Sequence, residues 1–145
     1  MKLAWILVLG AVLAAIVAPA AMSEQSSRPT LTAGSSTYGK ALLDGRGYVL
    51  YAFTRDHGRS ACYGACAKAW PPYYARKGAL RVGAGLKRSL LATVRRRNGR
   101  RQVTYAGRPL YYYVGDNGPG VIRCQDVYEF GGRWLILRPS GKLIR

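Results

Sequence analysis

Two aspartates stand at matched places beside pairs of aromatic rings: Tyr51, Phe53 and Asp56, then Tyr111, Tyr113 and Asp116. Both triplets fit the pattern Y-x-[FY]-x-x-D. In an extended chain residues two apart share a face, so Tyr51 and Phe53 point one way, as do Tyr111 and Tyr113, while Tyr112 points the other. Each aspartate falls at the end of its strand, just before His57-Gly58 or Asn117-Gly118-Pro119. There its carboxylate can accept turn N–H groups. Two roles follow from this pattern. In the first, the rings pack and the aspartate closes a turn, a structural function only. In the second, the triplets form two pseudo-symmetric sites, each an acceptor beside aromatic faces that suits a cation or a small polar ligand.

Cysteine supplies the next candidates. Cys62 and Cys66 are spaced i, i+4, which on a helix puts their Cα atoms about 6 Å apart, within reach of a disulfide. A bond between them, or from one of them to Cys124, is the structural expectation; the chemical alternative is a thiol or metal-dependent redox pair. The spacing is not C-x-x-C, and no second cysteine pair completes a zinc site, so no metal site is expected. His57 is the sole histidine and reads as a solvated turn residue. The sequence has no G-x-S-x-G, and Gly83-Ala-Gly85 lacks the third glycine of a dinucleotide fingerprint. No catalytic residue and no cofactor are therefore assigned. Arg95, Arg96, Arg97, Arg100 and Arg101 flank Asn98-Gly99 and read as the cationic tip of a hairpin, a candidate anion-binding surface.

These groups need a scaffold, and the chain between them reads as mainly β. Lys40 to Leu43, Asp44-Gly45-Arg46-Gly47 and Tyr48 to Phe53 predict strand, turn, strand, because Asp-Gly tolerates the positive φ of a tight hairpin. Residues 62 to 70 predict one short helix, ended by Pro71-Pro72. Residues 75 to 88 read as an exposed loop. Leu90 to Arg96 and Arg101 to Tyr105 predict a second hairpin. Ala106-Gly107 turns it into Leu110 to Val114, and Trp134 to Arg138 is a last strand. The expected fold is a small domain of short antiparallel strands and hairpins.

A shift of 60 residues lays Gly47, Leu50, Tyr51, Asp56 and Gly58 on Gly107, Leu110, Tyr111, Asp116 and Gly118, and Phe53 on Tyr113. The domain is thus built from two quasi-repeats. With Cys62-x-x-x-Cys66-x-x-x-Trp70-Pro71-Pro72 between the copies, and Arg101 to Tyr112 before the second, the sequence resembles the bacterial secreted repeat family, described as predicted lipoproteins with a Yx(FWY)xxD motif. The resemblance covers residues 38 to 138. It implies an exported repeat domain without an established activity. Two departures stand out: the lipid-bearing cysteine of a lipoprotein is missing, and Cys124 complicates a disulfide carried over from the family's cysteine pair.

Export is also written in the N-terminus. Met1-Lys2, an apolar run from Leu3 to Val17 and Ala18-Pro19-Ala20 have the order of a secretory signal, residues 1–20, cleaved after Ala20. The apolar run is shorter than the roughly 20 residues of a spanning helix, so no membrane span is expected after cleavage. Residues 21–36 read as a flexible linker, 37–140 as the repeat domain and 141–145 as a tail. Loss of Lys2 with the signal takes the net charge from +17 to +16. Such an excess favours anionic partners outside the cytoplasm: an envelope polymer or lipid headgroups, with nucleic acid disfavoured by export. The expected function is a non-enzymatic periplasmic or secreted binding module for anionic ligands, and the alternative is the redox protein built on Cys62 and Cys66.

Overall fold

A computed structural model describes residues 28–145; the expected export signal and the first part of the expected linker lie outside them. Among the described residues the fold is mainly β, with three small antiparallel sheets and one short helix. Strand β1 (Leu31–Ser36) pairs with β2 (Gly39–Asp44), Leu31 facing Asp44. The linker expected over 21–36 therefore stops short of Leu31. That residue is fully buried, and the apolar Leu31 with the small residues after it suffices for an edge strand because β2 supplies its hydrogen bonds.

A turn forms after β2 where expected, although the positive φ, 90°, falls on Gly47 and not on Asp44 or Gly45: the Asp44 N–H donates to the Tyr48 carbonyl at 2.8 Å and the Gly47 N–H to the Asp44 carbonyl at 3.0 Å. The strand that follows does not stay with β2. Strand β3 (Tyr51–Phe53) pairs instead with β8 (Gly132–Ile136), and β8 pairs on its other side with β7 (Val127–Glu129). Helix α1 (Ala65–Ala69) ends at Trp70, before Pro71. Strands β4 (Leu91–Arg95) and β5 (Arg101–Tyr105) form the second hairpin, and β6 (Arg108–Pro109) completes that sheet. In the C-terminal segment the Ile144 N–H donates to the Ile136 carbonyl at 2.9 Å, and Ile144 is buried.

The two repeats obey one hydrogen-bond plan. The Leu42 N–H donates to the Leu137 carbonyl, and the Val103 N–H to the Tyr73 carbonyl, both at 2.8 Å. The Thr54 N–H donates to the Arg133 carbonyl at 3.0 Å, and the Val114 N–H to the Ala69 carbonyl at 3.1 Å. At the centre Tyr51 and Tyr111 exchange both backbone bonds, each 2.9 Å, so the pseudo-two-fold axis passes between them. Each motif segment thus takes its partner from the other repeat: β3 lies on β8, while Tyr111 bridges to Pro72 just after α1. The sheet that holds β3 draws its strands from both repeats, which binds the two into one cooperative unit.

Strand β3 is buried on both faces. Tyr51 and Phe53 enter one core cluster with Trp70, Tyr111 and Trp134, while Leu50 and Ala52 enter a second with Leu31, Leu91, Val103 and Tyr105. Trp70 and Trp134 stack across the pseudo-axis with centroids 4.1 Å apart. Phe53 stacks on Trp134 and Tyr113 leans on Trp70, extending the ladder at both ends. Burial of rings this large, with favourable pairing, dominates the energetics of so small a core.

Candidate functional site

Because the two motif strands meet on the pseudo-axis, each tyrosine reaches the other repeat's aspartate. The Tyr51 hydroxyl donates to Asp116 Oδ2 at 2.6 Å, and the Tyr111 hydroxyl to Asp56 Oδ2 at 2.8 Å. The second oxygen of each carboxylate accepts a turn N–H: Ala61 on Asp56 at 2.7 Å, Arg123 on Asp116 at 2.9 Å. All four carboxylate oxygens of the motif are engaged by the protein itself. Burial lifts the Asp56 carboxyl to about 6 against the pull of these donors and of Arg96, and it raises Asp116 as well. Burial likewise pushes the Tyr51 and Tyr111 hydroxyls well above the usual tyrosine range, so both remain donors.

Around Asp56 the symmetry breaks. Arg96, expected at the exposed tip, is only 5 % exposed. Its guanidinium donates to the Ser60 hydroxyl, to Gln102 Oε1 at 2.8 Å and to the Cys62 carbonyl at 2.6 Å, and lies over the Tyr63 ring. Ser60 in turn contacts the Tyr111 hydroxyl at 2.5 Å, so an interior chain joins Arg96 to Asp56. The register places it there: Arg96 comes two residues after Val94, whose cross-strand partner is the buried Gln102, so its side chain shares that face. Arg95, Arg97, Arg100 and Arg101 are exposed. Arg97 and Arg100 rest on the rings of Tyr63 and Tyr74, and Arg101 donates to Thr93.

Cys62 and Cys66 form a disulfide, with Cα atoms 5.3 Å apart. The alternatives that used Cys124 are thereby settled; Cys124 is a half-buried free thiol. By the repeat plan it is the counterpart of Cys62, since each follows the residue whose N–H donates to a motif aspartate. His57 is exposed.

Sequence reasoning missed a second gathering of charge. Arg28, Arg46, Arg76, Lys77 and Arg81 line one cleft of about 410 Å³ with Tyr73 in its wall. No spacing rule links these positions, which come from the approach to β1, the β2–β3 turn and the loop after Tyr74. Arg46 is oriented by Asp44, which accepts its Nε at 3.0 Å. The same carboxylate accepts the N–H groups of Arg46 and Tyr48 and the Tyr112 hydroxyl.

The family described as a secreted repeat of unknown function matches residues 32–73 and 92–138, together more than half of the chain. The chain belongs to that family. The two matched spans of this secreted repeat coincide with the interlocked units of the fold, β1 to Tyr73 and β4 to β8. No curated protein and no solved structure is significantly similar to the chain. Among the described residues, no helix is long and apolar enough to cross a membrane.

Proposed function

We propose that this secreted repeat is a non-enzymatic binding module that holds an anionic polymer of the cell envelope after export and cleavage behind Ala20. One observation carries the reading. Among the described residues every acidic side chain is engaged by a partner within the chain, and of the five only Asp126 is exposed. Asp44, Asp56 and Asp116 serve turns and tyrosines, Glu129 accepts the Trp70 indole N–H at 2.8 Å, and Asp126 pairs with Arg133. Only Arg46 and Arg133 among the described cations are ion-paired. The surface field is therefore almost purely positive, which concentrates anions and accelerates their capture.

The buried disulfide argues against the redox alternative, since thiol exchange needs an accessible sulfur and both Cys62 and Cys66 are buried. The test is retention of the exported protein on an immobilised polyanion. Retention should be firm at about 0.1 M salt and lost towards about 1 M, where the screening length shrinks to about 3 Å. Flow-through at low salt would overturn the proposal. A preference for single-stranded DNA over a wall polymer of equal charge would assign the cationic surface to nucleic acid instead.

A further inference from the structure

We infer that the cleft bounded by the Arg28–Thr30 segment, the β2–β3 turn and the 76–81 loop is a site for a phosphoryl group. This rests on the anion-binding reading above and narrows it from a diffuse surface to one location and one chemistry.

Three features carry it. First, cations converge from separate segments: Arg28, Arg46, Arg76, Lys77 and Arg81 line one cavity, and among the described residues only Arg46 of these has a carboxylate partner, Asp44. Gathering like charges is unfavourable unless an anion sits among them. Second, the walls are built rather than loose. The Thr30 and Leu31 N–H groups both donate to the Arg81 carbonyl, the Arg81 N–H donates to the Thr30 hydroxyl, and the Tyr73 hydroxyl donates to the Thr30 carbonyl at 2.7 Å. Gly45 lets the strands close in, because a Cβ there would collide with the Pro29 carbonyl oxygen. Third, the acid in the wall does not compete. Asp44 is 2 % exposed and both its oxygens are filled.

Stoichiometry of donors selects phosphate over carboxylate. A carboxylate offers two oxygens and one charge, and is satisfied by one or two guanidinium forks. A phosphoryl group offers three oxygens and up to two charges, and suits several. At about 410 Å³ the cleft has the size of a small-ligand site, so it takes one phosphorylated end of such a polymer rather than a run of its units.

Calorimetric titration of the exported protein tests this, with tripolyphosphate as probe and citrate as a tricarboxylate control. Tripolyphosphate should bind at one site per chain and more tightly than citrate. The triple variant Arg76→Gln, Lys77→Gln, Arg81→Gln alters exposed side chains and should keep its melting temperature. It should lose at least about tenfold in affinity, an effect of about 1.4 kcal/mol. The charge-matched triple Arg95→Gln, Arg97→Gln, Arg100→Gln should stay close to wild type. Equal losses in both triples, citrate binding as tightly as tripolyphosphate, or no saturable binding would each overturn the cleft site. The polymer-binding reading survives those results if salt-sensitive retention on the polyanion persists, and fails separately if it does not. Phosphatidic acid vesicles and soluble glycerol 3-phosphate, both phosphomonoesters, then distinguish the sources. Whichever one the cleft triple ceases to bind supplies the phosphate; undiminished binding of both counts against the site.

Discussion

Tyr51 and Asp116 lie 65 residues apart in the chain, yet the tyrosine hydroxyl donates to the carboxylate at 2.6 Å. Tyr111 and Asp56 repeat the arrangement in the opposite sense at 2.8 Å. The motif is thus completed between repeats and not within one. Each copy supplies the ring for its partner's acid and the acid for its partner's ring.

Energetic coupling should follow that exchange. In thermal or urea denaturation Tyr51→Phe and Asp116→Asn should each destabilise the fold by about 1–3 kcal/mol, as expected for hydrogen bonds to a charged group. Double-mutant cycles should show coupling of about 0.5–3 kcal/mol for Tyr51 with Asp116 and for Tyr111 with Asp56. Tyr51 with Asp56, in the same copy, should be close to additive. Stronger coupling within a copy than between copies would contradict the interlocked arrangement.

A pH dependence follows from Asp56. Burial raises its carboxyl from 3.8 to about 6, so the folded chain binds this proton more tightly than the unfolded chain. The stability from that proton is complete below 3.8 and is lost as pH rises through about 6. The neighbouring charges of Arg96 and His57 act in the opposite direction but do not cancel burial. Relative to Asp56→Asn, which has no such proton, wild type should therefore gain melting temperature on acidification across this window. A relative loss would refute the burial account.

Thiol titration of the native protein should find one reactive group, Cys124, and three groups after reduction and unfolding. Replacing Cys62 and Cys66 with serine should cost about 2 kcal/mol, because the closed loop is short and constrains the unfolded chain only modestly. Ready reduction of the native disulfide by a mild dithiol, without unfolding, would reopen the redox reading.

Neighbouring arginines should differ sharply. Arg96→Ala strands the Cys62 carbonyl, Ser60 and Gln102 in the interior, and should cost on the order of 3–5 kcal/mol. Arg95→Ala, on the exposed side of β4, should stay within about 0.5 kcal/mol. Equal, small effects on denaturation would mean that Arg96 is not the interior anchor described here.

The sequence alone determined what depends on local geometry. Period-two placement fixed which motif rings share a face, the run from Asp44 to Gly47 and Asn98-Gly99 fixed two turns, and Pro71 fixed the end of α1, because each of these is decided within a few residues. The offset of 60 residues exposed the duplication and with it the secreted repeat family. Tertiary structure decided every relationship between distant segments. The pairing of β3 with β8 instead of β2, the crossed tyrosine–aspartate bonds, the inward turn of Arg96 and the convergence of Arg28, Arg46 and Arg81 all join residues far apart in the chain. Nothing local distinguishes Arg96 from Arg95 and Arg97. Only the nearness of the segment from Ser60 to Cys62 to the residue just past β4 makes one of them an interior hydrogen-bond hub and leaves the others in water.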